Sequence, residues 1–273
     1  MKTFNIKRFW NTFKWYIMEN SNKLIVWALA MTFGFMVIEL LIDWSLQRNH
    51  QVPNNYNINI LGSLGFCFFI AHVIIIFGFS RIFSLLNTKQ KRISYLTLPA
   101  TNAERFLAAL LYVLIVFPLC VFLSFLMGDT LRMLIDGISR NQWFSCISLI
   151  FNGYPMYFHF GSWANIMDNI HDISILLWIC SLYILGGTWF RKHAFFIVTA
   201  GLMALLIAII WSQATFTWHF SLATYDATGQ AIDVSPFIYP VTIAILAATL
   251  LNIWLSYRIF KNFQIITSKW TNI

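Results

Sequence analysis

Six stretches of about 20 mostly apolar residues follow one another along the chain, each long enough as a helix to cross about 30 Å of hydrocarbon. They run from about Leu24 to Ile42, Ile60 to Phe83, Phe106 to Met127, Ile173 to Phe190, Ala194 to Gln213 and Phe237 to Tyr257. Before the first of them the pattern is amphipathic. At 100° per residue, Ile6, Trp10, Phe13 and Ile17 share a stripe with Phe9 beside it, while Arg8, Asn11, Thr12 and Glu19 lie opposite and Trp15 breaks the pattern. This predicts an interfacial helix in an amino-terminal segment 1–23, either resting on the membrane surface or docked on a partner. The expectation is an all-α, polytopic membrane protein: the interfacial helix, six transmembrane helices over 24–257, and a tail, 258–273.

Two connections depart from simple loops. Between the second and third stretches, Ile82, Phe83, Leu85 and Leu86 are followed by a basic cluster at Lys89, Lys91 and Arg92, then by Ile93, Tyr95, Leu96 and Leu98. Apolar residues interleaved with charge predict a short helix that buries something. Pro99 ends it and disfavours helical geometry at Leu98. Thr101 and Glu104 then have the T-x-x-E spacing of a capping box, so the third span starts at a defined cap. Between the third and fourth stretches, residues 128–172 are interrupted by Asn152-Gly153-Tyr154-Pro155 and rich in aromatic residues, which predicts amphipathic or re-entrant helices at an interface. Residues 214–236 are polar, with a turn signal at Thr228-Gly229. Pro118 and Gly186-Gly187 mark kinks or close helix contacts.

Composition excludes a water-soluble globule. Of 273 residues 59% are hydrophobic and only 10% charged, against about 25% charged in soluble domains. The net charge of +8 does not point to nucleic acid, because the cations are spread between apolar runs instead of gathering in a binding motif. Their distribution sets topology. Lys2, Lys7, Arg8, Lys14, Lys23, Arg81, Lys89, Lys91, Arg92, Arg105, Arg191, Lys192, Arg258, Lys261 and Lys269 fall on one side; only Arg48, Arg132 and Arg140 fall on the other, which also carries most of the acids. This split places both termini and the 84–105 loop in the cytoplasm. The first span lacks a small-residue cleavage site and is expected to be retained.

Motifs of catalysis are missing from the pattern: there is no H-E-x-x-H, no G-x-S-x-G and no G-x-x-x-x-G-K-[ST]. No enzyme activity, cofactor or metal is expected of this chain. Cys67, Cys120, Cys146 and Cys180 lack the spacing of a metal or redox site and read as buried small hydrophobes. Two intramembrane polar residues stand out. His72 is central to the second stretch, where an imidazole either bonds a neighbouring helix or contacts protons or substrate. Glu39 is one helical turn from Asp43 near the outer end of the first, where a hydrated carboxylate and a site are both open.

The run from Lys91 through Leu98-Pro99-Ala100-Thr101 to Glu104-Arg105-Phe106 resembles a segment of permease subunits of type-2 ATP-binding-cassette exporters in Bacteroides- and Flavobacterium-like bacteria. The resemblance covers about 17 residues, with Arg105 where lysine is expected. It implies a membrane-spanning permease subunit that works as a homodimer or heterodimer, with a separate ATP-binding subunit docking on 81–105. Lys89, Lys91, Arg92, Tyr95, Pro99, Thr101 and Glu104 are then the candidate coupling residues. A non-transporting membrane scaffold or assembly factor is the alternative.

Overall fold

A computed structural model describes residues 3–48, 56–83, 89–140, 143, 145, 163–190, 193–216, 223–225 and 231–262. The fold is all-α and polytopic. In chain order the helices are α1 (Ile6–Arg48), α2 (Tyr56–Ser80), α3 (Lys89–Leu96), α4 (Asn102–Leu111), α5 (Phe117–Arg140), α6 (Trp163–Trp189), α7 (Ala194–Phe216) and α8 (Ile238–Lys261). Among the described residues, five helical segments are long and apolar enough to cross a membrane, and α2 adds a shorter apolar stretch, Leu64–Ser80. A two-stranded ribbon, β1 (Ala223–Tyr225) and β2 (Ala231–Val234), pairs antiparallel on either side of the expected turn. Thr228-Gly229 itself lies outside the described residues.

The described residues belong to two compact units, Met1–Gly78 with Leu107–Met156, and Phe79–Phe106 with Tyr157–Ile273. In the first, α1 is one uninterrupted helix of 43 residues, about 64 Å long. The separate interfacial helix expected at its start is instead the first turns of this helix. Asn5 caps it, its side-chain oxygen accepting from the Lys7 and Arg8 amides at 2.9 and 3.4 Å. No proline or glycine separates residues 6–23 from the span. The inward stripe also differs from expectation: Phe9, Thr12, Tyr16 and Asn20 are buried, while Ile6 and Trp10 face outward. Thr12 and Asn20 are accommodated inside because each donates to a carbonyl one turn back, Arg8 O and Tyr16 O. Tyr16 packs edge-on against Tyr112, ring centroids 5.0 Å apart.

Further along, Met31 and Phe35 of α1, Leu64 and Cys67 of α2, and Val121 and Phe125 of α5 form one buried core. Gly128 lets α5 approach α1: a methyl there would sit 3.0 Å from the Thr32 carbonyl oxygen. Between α4 and α5 lies a π-helical turn, Tyr112–Val116, in which the Phe117 amide donates to Tyr112 O. Its cause is Pro118, which lacks an N–H and would collide with the carbonyl four residues back, so the turn widens. The expected kink therefore takes the form of a bulge.

Beyond Met127 the helix does not end. Residues 128–140, expected among outer amphipathic or re-entrant segments, continue α5, and residues 163–172 open α6. Hydropathy stops at the first charge, yet Leu134, Ile135 and Ile138 are exposed while Asp129, Arg132 and Asp136 are buried. The polarity is inverted and the 3.6-residue period persists. The turn signals at 152–155 lie outside the described residues.

In the second unit, α6 and α8 run parallel. His171 pairs with Thr242 at 2.8 Å and Ser181 with Asn252 at 2.9 Å, both across the same separation of 71 residues. A constant offset over ten residues requires parallel, in-register helices. The seam is polar and built of small side chains, with Ser174, Ser181, Thr188, Thr249 and Ser256 each donating to a carbonyl of its own helix, the usual composition of tight membrane helix contacts. The Gly186-Gly187 pair makes the expected close contacts: a methyl on Gly187 would meet the Ser80 carbonyl oxygen at 2.5 Å, and one on Gly186 would meet Val198 of α7.

Candidate functional site

The short helix expected after the second span is α3, and its connection to α4 is an elbow locked from both sides. Thr97 closes α3, its hydroxyl donating to Ile93 O at 2.9 Å. Pro99 bars continuation, and the chain turns so that the Ala100 amide donates to Leu98 O at 2.7 Å. The capping box then forms in full: the Thr101 amide donates to Glu104 Oε2 at 2.7 Å, and the Glu104 amide to Thr101 Oγ1 at 3.2 Å. Glu104 is fully buried.

Three longer bonds cross the elbow. Tyr95, on α3, donates its hydroxyl to Arg105 O at 2.9 Å. In return the Arg105 guanidinium donates to Leu98 O and Ala100 O at 3.0 and 2.8 Å. Burial pushes the Tyr95 phenol well above its ordinary range, so its hydroxyl remains a donor at any physiological pH. The elbow is also cemented to the last helix. Phe83 stacks on Phe260 at 4.8 Å, Phe106 lies 5.7 Å from Phe260 and 5.4 Å from Tyr257, and Tyr95 meets Phe260 edge-on at 6.2 Å. This aromatic cluster is what Phe83 and Tyr95 bury themselves in, while Ile82 is buried against Gly187. Leu85 and Leu86, and the side chains of Lys89 and Arg92, lie outside the described residues. Lys91 is half-buried, while Gln90, Ile93 and Ser94 are exposed.

Replacing Glu104 by alanine removes the carboxylate that accepts from the Thr101 amide, leaves the backbone bond from residue 104 to Thr101 Oγ1 in place, and should cost about 1 kcal/mol, read as a lower melting temperature in detergent. An unchanged melting curve would show that the cap is dispensable.

A second polar assembly, in the first unit, is one that sequence reasoning missed. Arg132 Nε donates to Glu39 Oε2 at 2.9 Å, and its two terminal nitrogens donate to Asp129 Oδ1 at 3.0 Å and Asp136 Oδ2 at 3.2 Å. All four side chains are at most 3% exposed. Ser145 donates to the other oxygen of Asp129, and the Cys67 thiol to Glu39 Oε1 at 3.8 Å. Glu39 is therefore ion-paired in the interior and not hydrated at an interface. The available signal was the i, i+3, i+7 spacing of Asp129, Arg132 and Asp136 on one face with apolar residues on the other.

His72, the other intramembrane candidate, is not brought to Glu39. It faces outward from α2, its Nδ1–H donating to Phe68 O at 2.8 Å. The side chain of Asp43 lies outside the described residues. Among the described residues no group of three His, Cys, Asp or Glu side chains is placed to hold a metal ion.

Comparison of the chain with protein-family models, curated proteins and solved structures finds no match.

Proposed function

We propose that the chain is the membrane-spanning permease subunit of an exporter driven by a separate cytoplasmic ATPase. The observation that carries this reading is the elbow. A transporter without its own phosphate loop must receive mechanical work through a solvent-facing element joined rigidly to a span. Here α3 is such an element: two hydrogen-bonded staples and an aromatic cluster tie it to the start of α4 and the end of α8. The 17-residue resemblance around Leu98-Pro99-Ala100-Thr101 supports the same reading. In this proposal both termini and the 81–105 elbow are cytoplasmic, Lys89, Lys91 and Arg92 face an acidic patch on the ATPase, and two permease subunits complete the transporter.

Purification from membranes in mild detergent tests it. A protein carrying a G-x-x-x-x-G-K-[ST] loop should co-purify, and Lys89→Glu, Lys91→Glu and Arg92→Glu together should reduce its recovery by at least about tenfold, as expected for like charges brought together across an interface. If no ATP-binding protein co-purifies, the non-transporting scaffold becomes the better reading.

A further inference from the structure

We infer that the first turns of α1 are a docking helix for a cytoplasmic protein that presents an amphipathic helix flanked by Asp or Glu. The inference rests on the geometry of α1 and on the cytoplasmic amino terminus of the reading above, and holds whether or not that protein is the ATPase. With Leu24–Ile42 in the hydrocarbon, the 18 residues from Ile6 to Lys23 continue along the same axis for about 27 Å. Headgroups account for only about 5–8 Å of that on one side, and the usual tilt of about 20° shortens it little. Lipid therefore cannot cover the outward stripe of this segment.

That stripe is built for a helix. Ile6, Trp10, Phe13 and Ile17 recur at intervals of four, three and four, the spacing of a helix-pairing seam. Ile6 is 58% exposed and Trp10 53%, while Phe13 and Ile17 are half-buried at the seam's inner side. Trp10 is held in place by Phe9 and Phe13, whose ring centroids lie 5.4 and 5.6 Å from its own, which makes it a pre-organised aromatic anchor. Lys7 and Lys14 are exposed and each immediately follows a seam residue, Ile6 and Phe13, so the seam has one basic edge. The opposite edge is Phe9 and Tyr16, both buried in the protein's own fold.

These edges select the partner. Two copies of this chain share one membrane orientation, so their α1 helices would pair in parallel, setting each basic edge against the other copy's already occupied Phe9 and Tyr16 edge. A helix with carboxylates beside its own apolar positions does not meet this obstacle and neutralises Lys7 and Lys14.

The test places the photo-reactive amino acid p-benzoylphenylalanine at Trp10 in the full chain and irradiates intact cells. The expected adduct is one cytoplasmic protein, with the cross-linked peptide sequenced as an amphipathic helix bearing acidic residues beside its seam. Lys7→Glu with Lys14→Glu should reduce the adduct at least about tenfold, and changing the partner's facing carboxylates to lysine should restore it. Rescue of this kind separates docking from misfolding. Adducts formed only with phospholipid, adducts with a second copy of the chain, or a yield indifferent to charge reversal would each overturn the inference. The Lys89, Lys91 and Arg92 reversals leave this readout unchanged when the partner is a different protein, so failure here and failure of the ATPase reading are distinguishable.

Discussion

Replacing Arg132 by methionine should destabilise the unit built on α1 and α5 by about 3–5 kcal/mol, the usual cost of removing one partner from a buried ion pair. Three carboxylates, Glu39, Asp129 and Asp136, converge on this one guanidinium, and each is essentially inaccessible to solvent. Without it they must be protonated or rehydrated, and either outcome loosens the contact between α1 and α5 that Gly128 and Phe35 make so close. The expected fall in melting temperature is on the order of 10 °C for a chain of this size. Arg132→Lys should fall between, because it keeps the charge and loses the planar fork that reaches three carboxylates at once. Glu39→Gln should be milder than Arg132→Met, since an amide oxygen still accepts from Arg132 Nε. A melting curve for Arg132→Met that overlays the unsubstituted protein would show that the network contributes nothing.

The second large effect is expected at Phe260. Its ring lies at the centre of the elbow cluster, touching Phe83, Tyr95 and Phe106. Truncation to alanine removes a buried aromatic side chain, worth about 3–5 kcal/mol where the site does not collapse. The loss is local to the elbow. Trypsin, which cuts after Lys and Arg, should therefore cleave near Lys91 and Arg92 much faster in Phe260→Ala, with the Arg132 network undisturbed. Under the permease reading the same variant should also lose its ATPase partner, because α3 is then no longer held to α8. Phe69→Ala, on an exposed face of α2, is the control and should change neither readout. Cleavage and partner recovery identical to the parent protein would mean that the aromatic cluster does not hold the elbow.

How much of this was legible in the sequence depends on how far apart the interacting residues are. The spans announce themselves because crossing hydrocarbon requires about 20 apolar residues in a row, and the Thr101–Glu104 cap because its partners are three residues apart. Helix ends were harder. Hydropathy assigned Asp129, Arg132 and Asp136 to an outer segment, whereas α5 continues with those charges turned inward. Their partner Glu39 lies 93 residues from Arg132, a pairing that no local pattern encodes. The amphipathic stripe before the first span was visible, but its orientation was not. Thr12 and Asn20 look solvated in sequence and are buried because each bonds its own helix backbone. The strands of three and four residues are too short to carry a periodic signal.

The central claim is that the α3 elbow receives a separate ATPase, and proximity labelling at the elbow tests it most directly. Ile93 is 40% exposed on α3, so p-benzoylphenylalanine placed there disturbs little of the buried cluster. Irradiation of intact cells should yield an adduct with a protein carrying a phosphate-binding loop, while the same probe at the outward-facing Leu206 of α7 should label only lipid. An Ile93 probe that labels lipid alone, or only proteins without such a loop, would contradict the account.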